Sequence, residues 1–541
     1  MAGHAVAAAC LLLLVTSLAW LGARAWVGRL LPRRESGLPL AWFRITYAIV
    51  LFLEVSQLAR LEPLWAGEAL PGVTGSDVRL CYALLAWRVA LVCLALGLFT
   101  RSTALVSYVM TLATLSTFHR FEYHVDYILT AVNLLLLVTP VSARLSLDRA
   151  LASRRRARAG LAPLPPVEVS ELSGALLLVF GVGVVYLDSV FYKLVSPMWT
   201  RGLGLWLPAS LPHVAWHDLG PLLDREWLVR GLGWLTLAFE ALFLLLVWWR
   251  PLRPWLLAVG LGLHLGITVV FPIPWFGLAV ACLYLLLIPA EAYERAGRWL
   301  GRATARLTPL QRGAERLCGR FEGLLREISA GTESGACEAP RSVLVALVTC
   351  LLASQALATL QAPLVREIAQ RVGFGALLRE VRPFAAAWTS GVSRPLAGIT
   401  GHGVFMDRHF QGYNRVVTVA YVDAAGREIL LPFWDASGAP TRINTGRLWV
   451  FWNWRVVGTR LEPTSLADGV RRITAFWARE NHVSLDDARF VVRVKRIEVP
   501  VAWAPGWLER EKARPWGELG RASWTGGRFE WEIRDRVALA R

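Results

Sequence analysis

The stretch Glu171-Leu-Ser-Gly-Ala-Leu-Leu-Leu-Val-Phe-Gly-Val-Gly-Val-Val-Tyr186-Leu-Asp-Ser-Val-Phe-Tyr192 decides the fold class. It is apolar almost throughout and ends directly on Lys193. A helix rises about 1.5 Å per residue, so about 20 such residues cross a bilayer core of about 30 Å. The segment therefore reads as a membrane-spanning helix with a lysine at its end.

Similar segments recur near 5–23, 38–60, 80–98, 104–118, 124–142, 231–249, 255–271, 275–290 and 342–362. With 171–192 they make ten. The 541 residues are 55% hydrophobic and only 18% charged, too apolar for an ordinary soluble domain. The net charge of +18 follows from topology and not from nucleic-acid binding. Basic residues collect in alternate loops, 22 in one set (24–34, 101, 144–158, 250–253, 295–341) and 7 in the other. The richer set is expected in the cytoplasm, which places both termini outside it. The chain is expected to be a multi-pass protein of the cell (inner) membrane. The first segment is expected to be retained as a helix, because Met1–His4 carries no basic n-region.

Residues 1–362 are read as the membrane domain. Its arginine-rich loop 291–341 is expected on the anionic inner surface, in contact with membrane lipid. Residues 363–541 are read as an extracytoplasmic β-rich α+β domain. Strands are expected at Val416–Val422, Leu448–Val457, Phe490–Val499 and Arg528–Ile533, with a hairpin turn at Asp423-Ala-Ala-Gly426. Ser465–His482 reads as an amphipathic helix with Leu466 and Ile473 toward a core. The seven cysteines include no C-x-x-C pair and none in 363–541, so neither a disulfide framework nor a zinc site follows.

Ionisable groups inside a membrane are costly and usually functional. Arg44, Glu54, Arg88 and Glu240 are expected to form structural ion pairs between helices. Lys193 differs. Of 58 basic residues only Lys193, Lys495 and Lys512 are lysines. Arginine cannot release its proton at accessible pH, whereas a desolvated lysine can, so a base requires lysine. A lysine snorkelling to the interface fits the same position, and the residues alone leave both readings open. Helical spacing puts Ser189 one turn below Lys193 and Asp188 one turn below Tyr192. His124 opens the helix 124–142 among His119, Glu122, Tyr123, Asp126 and Tyr127, where it could stabilise an oxyanion. His213 and His217 are spaced i, i+4 but lack a third ligand nearby, so no metal is expected.

Four stretches resemble the HTTM superfamily, which includes the vitamin K-dependent γ-glutamyl carboxylases. They are Pro39-Leu-Ala-Trp-Phe-Arg44-Ile; Leu96-Gly-Leu-Phe-Thr-Arg101; Tyr123-His124-Val-Asp-Tyr127 with Leu145-Ser-Leu-Asp148; and Phe191-Tyr-Lys193-Leu194 with Pro197-Met-Trp199. His264 to Pro289 fits the family's late helix pair. Gly403-Val-Phe-Met406-Asp407, Val416–Val422 and Gly426-Arg-Glu428 resemble the start of its lumenal β-region.

The resemblance implies that Lys193 deprotonates reduced vitamin K or a related quinol. Oxygen then converts the anion to a strongly basic alkoxide that removes a γ-proton from glutamate. Carbon dioxide adds to the carbanion, and the quinone epoxide is released. It also implies that His124 assists the transition state, and that Tyr192, Trp199, Tyr123 and His264 bind the quinone. The partners expected are a quinone, membrane lipid, and an exported peptide or protein. Two departures stand out. The family's Asn-His is Tyr123-His124 here, and 363–541 is shorter than the carboxylase's exported portion. The alternative is a non-enzymatic membrane scaffold or maturation factor that grips lipid or an exported partner.

Overall fold

The computed structural model describes residues 2–65, 78–117, 121–162, 164, 168–304 and 338–534. The first five helices of twelve residues or more are α1 (Ala2–Leu30), α2 (Leu38–Arg60), α3 (Val78–Leu96), α4 (Thr100–Thr117) and α5 (Val125–Leu136). Then come α6 (Glu171–Lys193), α7 (Glu226–Leu246), α8 (Arg253–Val270), α9 (Pro274–Tyr284), α10 (Ala290–Thr304) and α11 (Arg341–Thr359). Two short strands, β1 (Arg34–Ser36) and β2 (Glu168–Ser170), pair antiparallel and tie the start of α2 to the start of α6.

Among the described residues, seven helices are long and apolar enough to cross a membrane: α1, α2, α3, α6, α7, α8 and α11. An eighth span is reached only if the bent pair α9–α10 is counted. The fold is that of a helical multi-pass membrane protein, with fewer such helices than the ten segments expected. The reasons are local. Segment 124–142 is helical only over Val125–Leu136, and twelve residues reach about 18 Å, short of the hydrocarbon core. Segment 104–118 forms α4, rich in Ser and Thr. Segment 275–290 forms α9 and then bends by 99° into α10. Helix α10 carries Arg295, Arg298 and an exposed Trp299. Residues 305–337 of the arginine-rich loop, with Cys318 and Cys337, lie outside the described residues. Large side chains such as Leu245 and Trp255, 70% and 71% exposed, suit a lipid-facing surface.

Helix α6 is the central element and is largely buried. The Ser170 hydroxyl caps it, accepting from the Leu172 amide at 3.1 Å, and Glu171 favours the positive end of its dipole. A π turn at Val179–Gly183 interrupts it. A Cβ at Gly183 would lie 2.4 Å from a Leu244 methyl, so glycine lets α7 approach closely.

After α11 come α12 (Pro363–Arg371) and α13 (Gly375–Trp388). A five-stranded antiparallel sheet follows, in the order β4-β3-β5-β6-β7. Its strands are β3 (Arg415–Val422), β4 (Glu428–Leu430), β5 (Ala488–Arg496), β6 (Trp516–Thr525) and β7 (Arg528–Ile533). The expected hairpin turn joins β3 to β4. Helix α14 (Pro463–Glu480) buries Leu466 and Ile473 as expected. Strand β6 escapes sequence reading because Gly517 and Gly520 interrupt its β pattern. Gly520 is needed there, since a Cβ would lie 2.3 Å from the Glu532 carbonyl on β7.

One expected strand is not a strand. Residues 448–457 are helical, an α turn at Arg447–Val450 followed by a π turn at Phe451–Val457. The segment is wedged against the helices and has no sheet neighbour to alternate against. Arg447 reaches Glu54 on α2 at 2.9 Å and Asp126 on α5 at 3.0 Å, through different guanidinium nitrogens. Trp449 donates to the His213 carbonyl at 2.7 Å.

Removing one partner from a buried ion pair leaves an uncompensated charge and costs about 3–5 kcal/mol. Arg447→Met is therefore expected to lower the thermal unfolding midpoint of the purified chain sharply. Adding Glu54→Gln and Asp126→Asn is expected to recover most of the loss.

Candidate functional site

Lys193 sits at the last turn of α6 and is only 5% exposed. Its ammonium does not reach outward. Nζ lies 2.5 Å from both carboxylate oxygens of Glu240 on α7. On another side it lies 4.2 Å from the ring centre of Trp199. A lysine with a carboxylate and an aromatic face as its partners is not snorkelling. Trp199 is itself fixed, with its indole N–H donating to the Phe405 carbonyl at 2.9 Å. The Asp407 carboxylate accepts from the Met198 amide and the Ser196 hydroxyl, which holds the turn carrying Trp199.

The pair faces a cavity of about 310 Å³. Lys193, His124, Tyr123, Trp199 and His264, all expected from the sequence, line it, as does Ser189. Tyr192 does not. One residue along a helix turns the side chain by about 100°, which takes Tyr192 off the face that Lys193 presents. Its ring lies instead against the backbone at Gly401 and Gly403. Asp188 also points away from the cavity: it accepts from the Thr359 hydroxyl at 3.0 Å and from the His402 amide at 2.7 Å.

The cavity has polar groups among apolar walls that include Ile128, Phe271 and Phe276. Near Lys193, His264 Nε2 and the Tyr186 hydroxyl lie 2.5 Å apart, and Tyr186 bonds on to Tyr284. His264 Nδ1 has no hydrogen-bond partner. Elsewhere His124 stands edge-on to Tyr127 and 6.1 Å from His402, ring centre to ring centre. His124 Nδ1 and His402 Nε2 are buried without hydrogen-bond partners, while His402 Nδ1 lies 3.6 Å from the Asp188 carboxylate. Polar atoms are costly to bury unpaired, so these mark where a ligand's polar groups would be satisfied. Asp126, expected beside His124, is turned toward Arg447. His119 lies outside the described residues.

Glu240 was expected only as a structural pair; its partner proves to be Lys193. His402, His409 and Arg455 also line the cavity and were not singled out from sequence. The signal for His402 was weak, a histidine between Gly401 and Gly403 in a loop. His213 and His217 do not converge. His213 stacks on Tyr413 at 4.1 Å, and His217 bonds the Val269 carbonyl through Nδ1. Among the described residues no three His, Cys, Asp or Glu side chains cluster to hold a metal.

Fold and site together define a multi-pass membrane protein with a buried lysine–glutamate pair opening on a largely apolar cavity. Comparisons with models of protein families, with curated proteins and with solved structures yield no match.

Two outcomes follow from this geometry. A Cβ at Gly401 would lie 2.4 Å from the Tyr192 hydroxyl but 3.3 Å from the nearest ring carbon. Gly401→Ala is expected to cost about 1–3 kcal/mol in thermal unfolding, and Tyr192→Phe in the same chain to recover most of it. The second concerns His409, whose Nδ1 accepts from the Met406 amide at 3.1 Å. Burial, aided by Arg408, pushes its pKa from the ordinary 6.5 down to about 4. The unfolded chain binds the proton more readily, so this contribution is complete above pH 6.5 and is lost as pH falls toward 4. Unfolding midpoints measured between pH 7 and 4.5 are expected to fall less in His409→Gln than in the parent chain.

Proposed function

We propose that the protein is a membrane enzyme that oxidises a reduced quinone with oxygen and couples this to proton abstraction from glutamate and its carboxylation. The observation that carries the reading is the placement of Lys193. It is the sole lysine of residues 1–362, and it is buried against Glu240 in a cavity shared with His124 and His264. The resemblance to the vitamin K-dependent carboxylases implies Lys193 and His124 at one site with His264 at the quinone, and the shared cavity supports that reading; Glu240 is no part of the resemblance. A bound reduced quinone would supply the hydroxyl to be deprotonated and the reducing equivalents for oxygen. The chain's own residues move the proton. Glu240 accepts one from the Lys193 ammonium, and the amine so formed takes the proton of the bound hydroxyl. Trp199, Phe271 and Phe276 offer flat apolar walls to a ring. The unpartnered Nδ1 atoms of His264 and His124 offer hydrogen bonds to its oxygens or to a developing oxyanion. We further place the C-terminal sheet and the cavity on the extracytoplasmic side of the cell membrane, on the distribution of arginine between alternate loops.

One observation favours the alternative, a non-enzymatic scaffold or maturation factor. Lys193 and Glu240 satisfy each other, as a purely structural ion pair would. Purified chain supplied with reduced vitamin K and oxygen separates the two. Epoxide formation is expected, with a loss of roughly a hundredfold or more in Lys193→Arg, as for removal of a general base. Equal rates in parent and variant would overturn the mechanism, and no epoxide from either would favour the scaffold. Label from bicarbonate in glutamate peptides then distinguishes carboxylation from epoxidation alone.

A further inference from the structure

Helices α1, α11 and α13 line a groove of about 830 Å³ that shares no lining residue with the Lys193 cavity. Its walls are Leu12 and Val15 on α1, Val345 and Leu357 on α11, and Phe384 and Trp388 on α13. One end carries two arginines, Arg24 and Arg341. The spacing makes this a single polar end. Leu12, Val15, Thr16, Trp20 and Arg24 follow i, i+3, i+4, i+8, i+12 along one face of α1. Gly28 continues that face one turn on, and a Cβ there would lie 3.1 Å from an Arg341 guanidinium nitrogen. On α11, Arg341, Val345, Thr349 and Leu357 share a face in the same way. The two helices meet with their basic residues together and their apolar residues running away from them.

Two arginines just beyond α1 are already paired. Arg33 faces Glu171 at 3.5 Å, and Arg34 faces Glu338 at 2.6 Å. Arg24 and Arg341 have no carboxylate partner among the described residues. Arg24 instead lies over the Trp20 ring at 5.4 Å. From Leu12 to Arg24 the groove runs about 18 Å, close to the roughly 15 Å hydrocarbon depth of one leaflet. Its chemistry is thus two guanidinium groups at one end of an apolar channel about one acyl chain long.

We infer that this groove is a binding site for an anionic glycerophospholipid, its phosphate on Arg24 and Arg341 and one acyl chain along α1 and α11. Guanidinium matches phosphate with paired hydrogen bonds, and basic pockets between spanning helices select anionic headgroups. The lipid completes the packing of α1, which the rest of the chain covers on only one side. This inference does not depend on the chemistry proposed for Lys193.

Native mass spectrometry of the full chain, released from detergent micelles holding equal phosphatidylglycerol and phosphatidylcholine, tests it. One phosphatidylglycerol is expected to be retained in preference. Arg24→Gln with Arg341→Gln is expected to weaken that retention about thirtyfold, which corresponds to about 1 kcal/mol per arginine. Ala346→Trp, on the exposed wall of the groove, keeps both arginines but obstructs the acyl chain, and is expected to lower retention of the same lipid. It serves if the arginine variants do not fold. Equal retention of both lipids, an unchanged preference in the variants, displacement by inorganic phosphate alone, or a second copy of the chain in place of lipid would each overturn the inference.

Discussion

Arg447 places one buried guanidinium between two buried carboxylates, Glu54 and Asp126, drawn from helices far apart in the chain. None of the three can be left alone at such depth, because an unpaired charge there costs several kcal/mol. Their mutual need pins the segment after residue 444 onto α2 and α5. The Gly446 amide, donating to the Pro272 carbonyl at 2.7 Å, adds α8 and α9 to the same junction. The helical wedge that follows brings Trp449, Val450 and Trp454 to the cavity. The site is therefore closed by a C-terminal segment that a buried ion network holds in place.

The second buried pair behaves differently. Lys193 and Glu240 also satisfy one another, but they do so facing a cavity whose lining includes the unpartnered Nδ1 atoms of His264 and His124. In the function proposed above, the cavity is what would let a bound group reach the amine. The hydrogen-bonded run His264, Tyr186, Tyr284 stiffens that end of the cavity through three helices. Such fixed polar groups in apolar surroundings are what electrostatic catalysis uses, since they do not reorganise during the reaction.

Much of the cavity's lining is legible in the sequence. The one lysine of residues 1–362 is informative because arginine cannot do what a base must. The structure places it buried and facing a cavity. His124, Tyr123, Trp199 and His264 also reach the cavity. Tyr192 does not, since adjacency in sequence on a helix means divergence in direction. His402 could not be found from the chain alone. It lies more than 200 residues from Lys193, and nothing local distinguishes it from any loop histidine.

The sequence by itself determined that this is a helical multi-pass membrane protein with strands toward its C-terminus. Apolar length and β-periodicity are local properties, set by the bilayer's thickness and the pleat's repeat of two. It also determined that Lys193 is chemically singular. Only the tertiary structure decided that Glu240 is its partner and that residues 447–457 are a helical wedge. Only the tertiary structure brought His402 and His409 to the cavity. Each of these depends on contacts between residues distant in the chain. Such contacts are selected by the cost of leaving a buried charge or polar atom unpaired, which no local pattern records.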